Sequence, residues 1–201
     1  MGTRIITIER QYATGGKRIA KMVAEKLGIP YYNNQILEMA GEKIGLPADY
    51  LRDVEETTSG SLLFSLAMAA TVNSTGVTLM SLSQQLFLAE EEIIKEIVKD
   101  GPCVIVGRCS DYILRDRDDC LNVFIYGDRE KRIDRAMNVY NVPRNEVESM
   151  VRKMDKRRAN FFTTSAQKKW GDRDNYHLCL DSGTLGIEKC VDLIVEAAKF
   201  E

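Results

Sequence analysis

Histidine is nearly absent from this chain: His177 is the single one in 201 residues. That scarcity argues against a Ser-His-Asp or Cys-His hydrolase and against a histidine-rich zinc site. The five cysteines, Cys103, Cys109, Cys120, Cys179 and Cys190, include no C-x-x-C pair. Their number is odd and several fall in apolar segments, so reduced buried thiols are expected rather than a disulfide framework. Uninterrupted apolar stretches are also lacking. The softest, LLFSLAMAATVNSTGVTLM at 62–80, is broken by Ser65, Asn73, Ser74 and Gly76, which disfavours a membrane span. Charge of one sign is not in excess: 28 basic side chains face 30 acidic ones, so bulk electrostatics do not suggest a nucleic-acid binder. The chain enters its first apolar strand without a basic-then-apolar leader, and a cytoplasmic location is expected.

What is present begins at the front. Ile5, Ile6 and Ile8 lie in a short apolar run that reads as a buried strand. It leads into Gln11-Tyr12-Ala13-Thr14-Gly15-Gly16-Lys17-Arg18 and then an apolar-periodic helix from Ile19. Strand, glycine turn, lysine and helix form the arrangement in which backbone N–H groups and a helix N-terminus cradle phosphate. Set against G-x-x-x-x-G-K-[ST], Gly16 and Lys17 fit, Gln11 replaces the first glycine, and Arg18 replaces the hydroxyl residue that would touch magnesium. The alternative is an ordinary strand-to-helix turn with two glycines.

Further along, apolar runs at 103–106, 122–126 and 176–180 read as buried strands, and the intervening segments read as helices. Helices are predicted at about 16–27, from Asn33 or Asn34 to about 44, at 82–99, from Asp128 to about 140, from Pro143 to about 161, and in a last segment capped by Thr184. Strands alternating with helices give an α/β fold, a parallel sheet flanked by helices in three layers. Residues 45–95 read as a helical insertion on the acceptor side, and 60–95 are apolar enough to support a homodimer, although core packing explains them equally.

Two more features carry chemistry. Val106-Gly107-Arg108-Cys109-Ser110-Asp111 closes a buried strand, where ligands of open α/β sheets bind, and an arginine there can grip a phosphate bidentately. A solvated or salt-bridged loop arginine is the alternative. Arg152, Lys153, Asp155, Lys156, Arg157 and Arg158 then crowd one helix end, with Arg152, Asp155 and Arg158 spaced by three. A polar loop through Trp170 follows. A cationic helix end leading into such a loop suits a phosphate-clamping lid over 158–175; mutual salt bridges on a solvated helix would also explain it.

The ordered set TIERQYATGGKRIAKMVAEKLGIPYY, VIVGRCSDYIL, MDKRRANFF, KKWGDRDNYHLCLDS and LGIEKCVDLI resembles the cytidylate kinase-like family, a branch of the P-loop nucleoside monophosphate kinases, almost end to end. The resemblance implies a P-loop kinase fold, ATP as phosphoryl donor and Mg²⁺ as its companion ion, with no protein ligand for the metal assigned. It implies that Gly15, Gly16 and Lys17 hold the donor phosphates, with Thr14, Arg18 and Arg157 beside them. Arg108 would hold the acceptor, and Asp155 and Arg158 match the family's D-x-x-R on the lid-side helix, with Arg152 nearby. Lys17, Arg108 and Arg158 would be the catalytic set. The implied acceptor is a small phosphorylated molecule, with CMP and dCMP as candidates. Tyr126 stands where cytidylate kinases carry an aspartate that reads cytosine, and Asn33 where relatives carry an acid. A kinase with a non-nucleotide acceptor and a non-catalytic nucleotide-binding protein therefore remain as alternatives.

Overall fold

A computed structural model describes residues 4–47, 50–51 and 80–198. Five strands form one parallel sheet: β1 (Ile5–Arg10), β2 (Tyr31–Tyr32), β3 (Cys103–Val106), β4 (Cys120–Tyr126) and β5 (Leu178–Asp181). Their order across the sheet is β2-β3-β1-β4-β5, which puts β1 at the centre. In β1 and β3 nearly every side chain is buried, as a strand covered on both faces requires. The two-residue alternation sorts them. Ile5, Cys103 and Ile105 face one apolar layer; Ile6, Ile8, Val104 and Val106 face the other.

The first layer consists of α2 (Asn34–Ile44), α3 (Leu82–Ile97) and the single turn α4 (Ser110–Ile113). The second is built from α1 (Gly16–Leu27) and the last helix, α8 (Ile187–Ala197). Between β4 and β5 run α5 (Arg129–Asn138) and the long α6 (Val147–Ala166). A further turn, α7 (Ser182–Leu185), follows β5. The predicted parallel α/β architecture is therefore present. Most of the expected insertion at 45–95, including the soft stretch at 62–80, lies outside the described residues; its final part is α3. Among the described residues no helix is long and apolar enough to cross a membrane.

Local chemistry explains the ends of these elements. Gly28 closes α1 in the left-handed conformation, φ 66°, where a Cβ would be strained. Asn33 occupies the N-cap of α2, yet its side chain does not cap; Gln35 Oε1 accepts from the Asn33 N–H instead, at 3.0 Å. Ser81 and Gln84 form a reciprocal capping box at α3. The expected cap at Thr184 is replaced. Asp181 caps α7 by accepting from the N–H groups of Gly183 and Thr184, and α8 starts two residues later at Ile187. An aspartate ending β5 can reach those orphan amides, so it pre-empts Thr184. Helix α6 runs on to Ala166, past the predicted stop near 161, because Phe162 and Ala166 are buried against Cys109.

One polar bond lies inside the sheet. Thr7 Oγ1 donates to Asn122 Oδ1 at 2.7 Å, between paired positions of β1 and β4. Thr7→Val keeps the shape and leaves the buried Asn122 oxygen without that donor. The expected cost is about 1–2 kcal/mol in urea denaturation, with an unchanged m-value.

Candidate functional site: a cationic cavity on the phosphate loop

The chain leaves β1 at the carboxyl edge of the sheet, beside the end of β3. Its loop is fixed mainly from outside. Gln11 N–H donates to Ile125 O, and Gln11 Oε1 accepts from Gly127 N–H. The side chain that replaces the motif's first glycine thus ties the loop to β4. Tyr12 N–H donates to Asp155 Oδ1 at 2.7 Å; Arg132 Nη1 donates to Tyr12 O at 3.1 Å and to Asp155 Oδ2 at 2.6 Å. Ser182 Oγ donates to Thr14 O at 2.8 Å. Within the loop, Thr14 Oγ1 donates to Gln11 O at 2.9 Å. Gly15 adopts φ 78°, and a Cβ there would be strained and would sit 2.5 Å from Ile187 Cδ1, which would have to shift. Gly16 then begins α1, whose first-turn amides have no acceptor inside the helix.

A cavity of about 300 Å³ opens on this loop. Its cationic lining is Arg10, Lys17, Arg108, Arg157 and Arg158, and among the described residues Glu9 is the one carboxylate that lines it. Asn33, Tyr140, Phe161 and Phe162 supply amide and aromatic walls. Arg158 donates to Arg10 O at 3.0 Å. Burial first, and the charge of Arg10 second, lower its pKa to about 9. A buried arginine that feels the charge of a second arginine favours an anion beside it. A second hollow, of about 550 Å³, meets the loop through Ala13 and Thr14 and carries both charges: Lys131, Arg132 and Arg135 line it together with Glu130 and Asp134.

The structure brings Thr14, Gly15, Gly16, Lys17, Arg108, Arg157 and Arg158 to one cavity. Three other expected site residues stand elsewhere. Arg18 is exposed and lies 3.6 Å from Glu188. Arg152 is exposed on α6 and is not part of the lining. Asp155 uses its two oxygens on Tyr12 and Arg132, so it shapes the loop. Tyr126 is exposed and lines neither hollow. The segment 167–175, the far part of the expected lid, folds back onto the core. Trp170 Nε1 donates to Glu9 Oε2 at 3.1 Å, and its ring packs edge-on against Phe124.

Sequence reasoning missed Glu9, Arg10, Arg132 and Arg135. Glu9 and Arg10 had a signal: they are charged residues ending an otherwise apolar central strand. Arg132 and Arg135 had only their place after β4. Among the described residues no group of three or more His, Cys, Asp or Glu side chains is arranged to hold a metal. The thiols are inert in character. Burial pushes Cys103 up to about 12 and Cys120 up to about 11, and Cys179 alone is exposed.

A profile of the cytidylate kinase-like family matches residues 5–184. The chain belongs to that family. No functionally curated protein matches it. An uncharacterized protein from Eubacterium ventriosum ATCC 27560 shares 24% identity, with 96% of this chain and 97% of that one covered and a TM-score of 0.70. Shikimate kinase from Bacteroides thetaiotaomicron superposes with a TM-score of 0.55 at 14% identity, over 96% of each chain. A gluconokinase from Sinorhizobium meliloti 1021 gives 0.51 at 14% identity, over 98% of this chain and 89% of its own. At these identities the likeness establishes the P-loop kinase fold.

Asp111, at the start of α4, belongs to the floor behind the site. It is buried, and its Oδ1 has no hydrogen-bond partner among the described residues. Burial, then the charge of Glu9, push its pKa up to about 8; the N–H groups of Asp111 and Tyr112 and the charge of Lys168 oppose the shift. The folded protein therefore holds a proton there that the unfolded chain releases near the ordinary value of 3.8. Stability from this group is full in acid and falls as pH rises towards 8. Asp111→Asn should flatten that slope, seen as a smaller loss of Tm between about pH 5 and about pH 8 in thermal melts.

Proposed function

We propose that the protein transfers the γ-phosphoryl group of ATP to a small anionic acceptor, with nucleoside monophosphates such as CMP and dCMP as the first class to test. The observation that carries this reading is the cavity itself: among the described residues, five cationic side chains and one carboxylate surround one phosphate-loop turn. Family membership supports phosphoryl transfer as the reaction class.

In this reading the donor's triphosphate lies along Gly15, Gly16 and Lys17, and its nucleoside occupies the hollow behind Ala13 and Thr14. Lys131, Arg132 and Arg135 are the basic groups there, beside the carboxylates of Glu130 and Asp134. Arg108 holds the acceptor. Arg157 and Arg158, on the lid-side helix, neutralise charge as it spreads over the equatorial oxygens in transfer. The bond from the β,γ-bridging oxygen to Pγ breaks, and a bond from an acceptor oxygen to Pγ forms. An acceptor that brings a phosphate oxygen needs no histidine base, so positioning and charge stabilisation carry most of the barrier reduction. The loop residues do not form a metal-ligand set. The motif's hydroxyl is Arg18, and the Thr14 hydroxyl is bonded to Gln11 O. Mg²⁺ would accompany the nucleotide.

A non-nucleotide acceptor is the second reading, and Tyr126 favours it. The side chain at the position where cytidylate kinases read cytosine lies outside both hollows.

The deciding experiment is a coupled phosphoryl-transfer assay with ATP and Mg²⁺ against CMP, dCMP, UMP, AMP, GMP, shikimate and gluconate. Saturable turnover with CMP or dCMP supports the first reading. Turnover with shikimate or gluconate alone supports the second. ATP binding without transfer to any of them overturns the first reading and leaves a different acceptor or a non-catalytic nucleotide binder. In an active system, Lys17→Ala should cut kcat/KM for ATP by about 100-fold or more without altering Tm. Arg108→Ala should raise the acceptor KM by roughly 10- to 100-fold and leave the ATP KM nearly unchanged.

A further inference from the structure

Helix α3 presents Leu86, Ala89, Ile93, Ile94 and Ile97 to the core at helical spacing, and Glu90 occupies the same buried stripe. It is 0% exposed. Glu90 Oε1 accepts from Arg108 Nη1 at 3.0 Å, whereas Oε2 has no hydrogen-bond partner among the described residues. Burial raises its pKa well above the ordinary carboxylate range. A half-satisfied carboxylate in an apolar stripe is a poor way to gain stability, because a leucine there would pack without desolvating a charge.

The other end of the contact is strained as well. Gly107, Arg108 and Cys109 have φ values of 73°, 62° and 53°, three left-handed residues in succession at the end of β3. Two of them carry side chains, a conformation that persists only when its surroundings enforce it. Cys109 is buried, and a Cβ on Gly107 would run into the Arg10 guanidinium. Arg108 is therefore directed at its Cα by a tight turn and gripped at its guanidinium by Glu90, while it lines the cationic cavity.

We propose that Glu90 is a positioning residue that holds Arg108 preset for an acceptor's oxyanion. This inference rests on the reading of Arg108 as the acceptor-binding arginine. Two effects oppose each other. The carboxylate screens the arginine's charge, which weakens anion binding. It also removes the rotamer freedom that an arginine otherwise loses on binding, which strengthens it. The unusual expense of the buried contact points to the second effect as the larger.

The two effects separate in variants, with inorganic phosphate as the probe and the Arg108 Nε–Hε NMR signal as the reporter. In the wild type without phosphate, that N–H vector should be rigid, with an order parameter near 0.85. Glu90→Gln keeps an acceptor oxygen and should bind phosphate within about threefold of wild type. Glu90→Leu removes both grip and charge; it should leave Arg108 mobile and weaken phosphate about tenfold. A mobile Arg108 in the wild type, with an order parameter below about 0.6, overturns the proposal without any variant. So does Glu90→Leu protein that binds phosphate as tightly as wild type, which would make Glu90 a mere counter-ion. If Glu90→Leu does not fold, the wild-type and Glu90→Gln order parameters decide. An Arg108 signal that ignores phosphate in the wild type removes the acceptor reading itself. A signal that responds yet is indifferent to Glu90 removes only the positioning role.

Discussion

The site depends on the contact of Arg132 with Asp155 across the first turn of the phosphate loop. Arg132 Nε donates to Gly127 O, and its Nη1 reaches both Tyr12 O and Asp155. One guanidinium thus joins the end of β4, the loop and helix α6. Arg132 and Asp155 are largely shielded from water, so the pair gains more from mutual attraction than a surface pair does. A loop that is to bind phosphate through its backbone cannot use those same amides to hold itself. Here the holding is delegated to Gln11, Tyr12 and Thr14, whose partners lie on neighbouring elements. Gly16 N–H makes a long bond of 3.4 Å to Thr14 Oγ1, and the amides that follow it in the first turn of α1 are the natural anion site.

That constraint also explains the crowding of positive charge. Helix α6 is drawn onto the loop by Asp155, and this brings Arg158 over the Tyr12 ring and against Arg10. The Arg10 charge and burial both disfavour the Arg158 cation, although at a pKa of about 9 it still carries its proton at neutral pH. Glu9 offsets part of the repulsion, and Glu9 is in turn held by Trp170 from the returning segment. An incoming anion relieves the remaining repulsion, so part of its binding energy is stored in the unliganded arrangement. The Trp170 contact attaches the segment beyond α6 to the strand that carries the loop.

How far the sequence disclosed this site follows from what kind of signal each part leaves. Strands β1, β3 and β4 and helix α1 were legible, because continuous apolar runs and a 3.6-residue stripe reflect burial directly. The loop and Arg108 were legible as motifs, since glycine and arginine beside a strand end imply backbone approach and anion contact. Asp155 was legible as a motif residue, but its present partners were not. It bonds to a backbone amide 143 residues away, a pairing only the tertiary fold creates. Thr184 looked like a cap because local chemistry allows it, and lost to Asp181 because strand β5 ends there. Glu90 was visible in principle: a lone carboxylate in an otherwise apolar helical stripe is an inconsistency that calls for a partner.

The two hollows flanking the loop argue for division of labour. Ala13 and Thr14 are shared by both, so a donor lying across them would enter with its terminal phosphate directed toward the arginine-rich side. Arg10, Arg108 and Arg158 are anchored there by different elements: a central strand, a strained turn after β3, and helix α6. A cation on each of three independent supports constrains an oxyanion in three dimensions, which one flexible basic helix could not do. In-line transfer demands that kind of fixed alignment more than it demands a base. On the proposed reading, the Glu90-held arginine and the clasped loop are two solutions to one requirement: the positive groups must already be in position when the anion arrives.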